Sequence, residues 1–259
     1  MKFKDPRLQH AIEEDGIVKV PFLDAYQIKE MAYYVDNETP VNEVAKEFGF
    51  MGGIIINDTP LKKRMDEDLR EVLHPICETY FEDFKALVYT VLAKAPVAHS
   101  KLEMHQDWSV VDERKHYSLS LWIPLIDSTI ENGTLHVVKG SHKTLTNIRG
   151  GSIPSIFTED IVECLMPKME AIEVKAGEAL LFNQRLAHYS PPNTGSQTRV
   201  SLISSLVPQE ADVLLYFQKD SSTTEVYKMN DGFFVDYDNF LVEKDLQPPG
   251  IKVAEFQNG

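Results

Sequence analysis

Near Leu87 the apolar residues of this chain change their period, and that change narrows the folds open to it. Before it, apolar positions recur at helical spacing. After it, they come in short or alternating runs cut by Pro, Gly, Asn and Asp, the texture of consecutive β-strands. Candidate strands cover residues 86–93, 100–108, 118–124, 133–138, 171–174, 179–182, 187–190 and 198–206. So many short strands in succession predict a mainly β fold with N-terminal helices, built on a jelly roll.

The helical part carries clear start signals. Asp24 can cap a helix bearing Ile28, Met31, Ala32 and Val35, and Asp58-Thr59-Pro60 sets a capping side chain before a first-turn proline. From there Leu61, Met65, Leu69, Val72, Leu73, Ile76, Tyr80 and Phe84 trace one face of a long helix. Residues 144–167 lack periodicity and include Gly150-Gly151 and Pro154, which predicts a long loop lying lid-like across one mouth of the barrel. At 259 residues, 43% of them hydrophobic, a single domain over 1–259 is expected. It divides into a helical part (1–86), a jelly-roll core (87–212) and a C-terminal extension (213–259). In the extension, Phe233-Phe234-Val235 either packs on a partner or closes the barrel, and the oligomeric state is not readable.

Charge excludes some partners. With 40 acidic and 26 basic residues the net charge is −14, which opposes any general electrostatic grip on nucleic acid or an anionic membrane. No run of about 18 apolar residues occurs, and the polar start Met1-Lys2-Phe3-Lys4-Asp5-Pro6 lacks a signal-peptide core. Cys77 and Cys164 are too few for a disulfide framework. A soluble, cytoplasmic protein is expected.

The residues with chemistry lie in the strand region. In Leu102-Glu103-Met104-His105-Gln106-Asp107-Trp108-Ser109, His105 and Asp107 stand two apart, so on a strand both point to one face. A His-x-Asp alone is common; His188 supplies a third ligand of the right type, and two histidines with one carboxylate form the facial triad of non-haem Fe(II) sites. Arg199 follows in Thr198-Arg199-Val200-Ser201-Leu202-Ile203, sharing a strand face with Ser201 and Ile203. Such an arginine points outward into water or, if inward, needs a carboxylate partner; none is near in sequence, which favours an exogenous one.

These residues resemble the phytanoyl-CoA dioxygenase-like branch of the Fe(II)/2-oxoglutarate-dependent oxygenases. The likeness covers roughly residues 90–208 and rests on an ordered set: His105-Gln106-Asp107, Ser120-Leu121-Trp122-Ile123-Pro124, Glu131-Asn132-Gly133-Thr134-Leu135, Gly140-Ser141-His142, and His188-Tyr189-Ser190 through Arg199. Lys139 and Asn183 depart from the family pattern without touching the triad. The resemblance implies a double-stranded β-helix of cupin-like type, with Fe(II) held by His105, Asp107 and His188. It implies 2-oxoglutarate bound by Arg199 with Ser190 and Trp122 in support, O2 as oxidant, and no catalytic residue beyond the metal centre. It further implies hydroxylation of an unactivated C–H bond with release of succinate and CO2. In related halogenases a small residue occupies the position of Asp107, so a carboxylate there favours hydroxylation over halogen transfer.

The substrate implied is a small molecule or secondary-metabolite intermediate, free or tethered to a carrier or coenzyme A. Desaturation, cyclisation and epimerisation begin with the same hydrogen abstraction and stay open, as does a non-catalytic jelly roll that only binds a metal or carboxylate. Trp108, Tyr117 and Arg149 are candidate substrate-pocket residues. His142 reads as a strand-ending turn residue, His136 as surface or supporting, and Asp112-Glu113-Arg114-Lys115 as a solvated turn.

Overall fold

Residues 1–236 and 248–257 are described in a computed structural model of the chain. A two-residue strand β1 (Lys2–Phe3) precedes helix α1 (Pro6–Asp15), which starts at an Asp5 cap and a proline and stops at Gly16. Gly16 has φ 77°, and a Cβ there would also collide with the His142 ring, so both conformation and space require glycine. Strand β2 (Ile17–Pro21) and helix α2 (Ala25–Glu38) follow, the latter opened by an Asp24–Gln27 capping box. After α3 (Val41–Phe48) and β3 (Phe50–Gly52), the long helix α4 (Thr59–Tyr80) begins where predicted, with Asp58 accepting from the Leu61 amide. It ends at Tyr80, four residues before the predicted stripe: β4 (Phe81–Glu82) intervenes and Phe84 opens a strand.

The strands that follow are β5 (Phe84–Lys94), β6 (Leu102–His105), β7 (Leu119–Pro124) and β8 (Leu135–Val137). Beyond helix α5 (Glu159–Leu165) come β9 (Glu170–Ile172), β10 (Glu178–Asn183), β11 (His188–Ser190) and β12 (Arg199–Pro208). They form a six-stranded sheet in the order β2-β10-β7-β12-β5-β3 facing a four-stranded sheet in the order β6-β11-β8-β9. These sheets are the two walls of a jelly roll.

Two cores hold the walls in place. Met65, Leu69, Leu73 and Cys77 of α4, with Met31 and Val35 of α2, bury against the outward residues Leu119, Leu121, Leu181 and Leu202 of the large sheet. Each fully buried Leu contributes about 1.5–3 kcal/mol. Between the sheets, Trp122, Leu180 and Phe182 of the large sheet meet Val137 and Leu186, with Leu135 and Ile172 packed alongside.

Three expectations need correction, and the extension, whose structure the sequence leaves open, takes a form of its own. The N-terminal part is not all helix: Leu181 and Leu180 pair with Val18 and Lys19, so tertiary pairing makes a strand of a run too short to announce itself. Residues 144–167 include α5, which buries no residue and therefore shows no apolar stripe. β6 stops at His105, short of Asp107; residues beyond it are held by other segments, as when the Ser109 amide donates to the Arg149 carbonyl. The extension forms a three-stranded sheet of β13 (Val213–Gln218), β14 (Thr223–Met229) and β15 (Ile251–Gln257), with α6 (Phe233–Asp236) after β14. Phe233, Phe234 and Val235 are buried in a third cluster with Val88, Val207, Val110 and Val111, so they close one end of the molecule.

Candidate metal and carboxylate site

His105 ends β6 directly opposite His188, the first residue of β11, so the ladder itself brings the imidazoles together, ring centres 4.1 Å apart. Each ring donates its Nδ1–H to a carbonyl two residues back, His105 to Glu103 (2.7 Å) and His188 to Leu186 (2.9 Å). A carbonyl can only accept, so both Nε2 atoms are left as bare lone pairs, the arrangement found in metal-binding histidines. Burial of the ring, and then His188 beside it, hold the His105 imidazole below its ordinary pKa and so neutral.

Asp107 reaches the same point from the loop after β6. Its Oδ1 lies 3.9 Å from His105 Nε2 and 3.7 Å from His188 Nε2. Its Oδ2 accepts from Ser120 Oγ at 2.5 Å. One oxygen is thus tied to β7 and the other is offered to the centre. One ligand atom from each of the three residues falls within 4.8 Å of the others, which fits a single metal ion.

Arg199, the first residue of β12, points inward and is only 5% exposed. Its guanidinium donates to the Gly133 carbonyl and, at 3.4 Å, to that of Asn132, while its Nε is buried with no partner. Trp122 lies beneath it, guanidinium carbon 5.2 Å from the ring centre, and is itself fixed by a 2.8 Å bond from its indole N–H to Ser201 Oγ. Burial lowers the arginine pKa to about 10, still charged at neutral pH. Among the described residues no carboxylate pairs with it, so the site lacks the counter-charge that a buried cation needs.

Ser190, two residues beyond His188, donates to the Gly133 carbonyl at 2.7 Å and so shares that acceptor with Arg199. Gly133 has φ 73°, and a Cβ there would strike the Pro191 carbonyl, which fixes the residue type at this shared acceptor.

Lys94 was missed from the sequence. It pairs with Arg199 across β5 and β12 and is fully buried. Its Nζ donates to the carbonyls of Ser100, Pro191 (2.9 Å) and Ser190 (3.4 Å), with no carboxylate among its partners. Burial, and secondarily the charge of Arg199, push it down to about 7. A signal existed: a lone lysine inside the apolar run Leu87–Ala95, on the strand later found beside Arg199.

The three candidate pocket residues part ways. Arg149 is 7% exposed with its fork taken up by Glu113 (2.6 Å to each carboxylate oxygen), and its Nε donates to the Asp107 carbonyl at 2.8 Å. Glu113 is correspondingly half-buried, its side chain 12% exposed, in a turn whose next residues Arg114 and Lys115 are solvated. Trp108 packs on the Val88–Val207 cluster. Tyr117 packs on the outer core, its hydroxyl donating to the Met1 carbonyl at 3.3 Å, away from the triad. His142 bonds the Glu13 carbonyl at the end of α1 and His136 packs edge-on against Tyr189, so neither joins the centre.

A jelly roll with two imidazoles and a carboxylate converging between its sheets is a recognisable class of protein, and the comparisons agree. The profile of the phytanoyl-CoA dioxygenase (PhyH) family matches residues 13–201, and the chain belongs to that family. It is 30% identical over 107 residues to a phytanoyl-CoA dioxygenase domain-containing protein 1 homolog of Dictyostelium discoideum, covering 38% of each chain. It is 28% identical over 173 residues to a phytanoyl-CoA dioxygenase of Arabidopsis thaliana, covering 55% of this chain and 58% of that one. These matches span less than two thirds of either relative. Among solved structures, EvdO2 of Micromonospora carbonacea var. aurantiaca, complexed with 2-oxoglutarate, superposes with a TM-score of 0.59 at 17% identity, over 79% of this chain and 91% of that one. The epimerase SnoN, in complex with Fe3+, alpha ketoglutarate and nogalamycin RO, gives 0.58 at 17% identity, over 96% and 97%. At such identities the likeness is one of fold, a cupin-like double-stranded β-helix.

Proposed function

We propose that this chain is a non-haem Fe(II)/2-oxoglutarate-dependent dioxygenase that hydroxylates an unactivated C–H bond of a small molecule, releasing succinate and CO2. The observation that carries the reading is Arg199: a buried, charged guanidinium with an unpartnered Nε and no carboxylate of the described chain to neutralise it, in the barrel that also gathers His105, Asp107 and His188. An oxygenase of this kind needs both a metal and a dicarboxylate. Iron bound with 2-oxoglutarate and O2 supplies oxidative decarboxylation and the power to abstract hydrogen from carbon.

The chain's own residues would do the rest. The two Nε2 atoms and Asp107 Oδ1 hold the metal, and Ser120 keeps the second carboxylate oxygen turned away. Arg199, steadied by Trp122 and the Gly133 carbonyl, receives the distal carboxylate of the co-substrate. Ser190 shares that acceptor, so its role here is to buttress Gly133. The apolar layer of Leu180, Phe182 and Val137 keeps bulk water from the inner side. A carboxylate at position 107 fills the coordination place a halide would need, which favours hydroxylation over halogenation. The substrate is a small molecule or secondary-metabolite intermediate, and the two unpaired cysteines suit a reducing cytoplasm. Among the described residues no helix is long and apolar enough to cross a membrane.

The test is succinate formation from 2-oxoglutarate with ferrous iron and ascorbate, in wild type and in two variants. Arg199→Ala should raise the 2-oxoglutarate requirement at least about tenfold, since a charge-assisted bond contributes about 1.5–3 kcal/mol. His105→Ala should lose iron binding. Unchanged 2-oxoglutarate dependence in the first and unchanged iron affinity in the second would refute the assignment.

A further inference from the structure

On the inner face of the large sheet the polar residues divide into two groups, one on each side of Ser120. Towards one end lie Arg199 with its Lys94 neighbour, Ser201 and Trp122. Towards the other, Ser118 immediately precedes β7, two residues before Ser120, and β12 carries Ser205 directly opposite Ser120. β10 runs on to Gln184, whose backbone N–H bonds the Ser118 carbonyl (3.1 Å). Side chains two apart on a strand share a face, so Ser118, Ser120, Gln184 and Ser205 form one patch across three strands. Not one of them is ionisable.

Its hydrogen bonding is incomplete. The Gln184 amide donates to Ser205 Oγ (2.7 Å) and, at 3.4 Å, to Ser120 Oγ, leaving Oε1 without a partner. Ser118 Oγ also has none. Gln184 is 4% exposed and Ser118 1%, so neither is answered by bulk water, and an unmade buried bond costs about 1–3 kcal/mol. Turning the amide over exchanges its ends but still leaves one unmatched. Ser120, meanwhile, donates to Asp107 Oδ2, which places the patch a single hydrogen bond from the metal carboxylate. The adjoining wall is apolar: Val88 stands opposite Ser205, and Val207, Val110, Val111 and Trp108 belong to the same cluster. Arg149, which pins the Asp107 carbonyl beside it, is already occupied by Glu113.

We infer that this patch is the substrate-recognition floor, and that it takes an uncharged molecule with an apolar body and a hydroxyl beside the carbon to be oxidised. A hydroxyl both donates and accepts, so it satisfies Gln184 in either orientation while its other function meets Ser118. A carboxylate or phosphate at that end of the substrate would find no counter-charge in the patch, and an ammonium no anion. The inference rests on the oxygenase reading for the position of the reacting carbon, but the binding preference stands on the patch alone.

Calorimetry on the Co(II)-loaded protein separates the two. 2-Oxoglutarate is titrated first; cyclohexanol, cyclohexanecarboxylate, cyclohexylamine and methylcyclohexane are then titrated separately as probes. Cyclohexanol should bind at least about tenfold more tightly than the two charged probes and more tightly than the hydrocarbon, and Gln184→Leu should remove about five- to tenfold of that affinity while leaving 2-oxoglutarate binding intact. Ser118→Ala, a smaller change, gives the same direction should the leucine variant fold poorly. Equal or tighter binding of the carboxylate, no loss in either variant, or no probe binding to a protein that takes up 2-oxoglutarate would overturn the patch. Failure of 2-oxoglutarate to bind, with Gln184-dependent cyclohexanol binding retained, would overturn the oxygenase reading and leave the patch standing.

Discussion

Lys94 is the residue whose surroundings demand the most explanation. It is a fully buried lysine beside a buried arginine, and among the described residues its ammonium bonds only main-chain carbonyls. Those carbonyls belong to Ser100, Ser190 and Pro191, so the ammonium ties β5 to the exit of β11 and keeps Gly133, Ser190 and Arg199 in register. Its pKa falls to about 7 from an ordinary 10.5. Between those values the unfolded chain binds more protons than the native one, so this group's contribution to stability rises with pH through that window. Below about pH 7 the full cost of burying the charge remains. Lys94→Met removes the titration, and the stability of wild type relative to the variant should increase steadily from pH 7 to pH 10 in denaturant unfolding. A flat difference would show that Lys94 does not titrate there. The variant should also weaken 2-oxoglutarate binding several-fold by loosening the Ser190–Gly133 corner.

At the scale of elements, the metal ligands sit on unequal supports. Both histidines stand on a paired ladder, β6 with β11, whereas Asp107 lies in a loop whose backbone is pinned by Arg149. Arg149→Ala removes that pin and strands Glu113, a half-buried carboxylate, at a cost of about 1–3 kcal/mol. Metal affinity, read by competition with a chromophoric chelator, should fall about ten- to a hundredfold. Replacing the pair together, Arg149→Met with Glu113→Leu, should recover most of the stability and none of the metal affinity. If metal affinity recovers in step with stability, the clamp has no positioning role. The sequence made the ligand set legible although β6 ends before Asp107, because two residues of extended chain bring the side chains to one side whether or not the ladder continues. It hid the clamp, because Glu113 and Arg149 lie 36 positions apart, each beside residues that read as solvated turn or loop. Strands β5, β7, β10 and β12 were readable from their apolar texture. β2, β3 and the C-terminal sheet were not: the first two are short and owe their form to partners far along the chain, and in the third the apolar run of β13 pairs with strands β14 and β15 that mix charged and apolar residues without a regular period.

For the whole molecule the governing quantity is charge. A protein of net charge −14 repels a dicarboxylate at long range, while Arg199 and Lys94 attract it only once it has entered the barrel. Salt screens the first effect more than the second, because the buried pair is shielded from ions. The association rate of 2-oxoglutarate should therefore rise as ionic strength increases from low to physiological, with the dissociation rate nearly constant; stopped-flow mixing with the Co(II) protein measures both. A fall in the association rate would mean that a local positive field at the entrance outweighs the overall charge.

The sheet at the C-terminus gives the matched family region a dependence that lies outside it. Strand β13 braces both segments that flank the metal carboxylate: the Leu214 amide bonds the Val110 carbonyl, the Tyr216 hydroxyl bonds that of Val111, and the Gln218 amide bonds Ser152 Oγ. All three braces come from beyond residue 201, where the family match ends. A chain cut after β12 would keep every motif side chain and lose the splint that aims one of them. Possession of the motif and competence to use it are therefore separable in this protein, and a transplant of the barrel into another scaffold would have to bring its outer brace along.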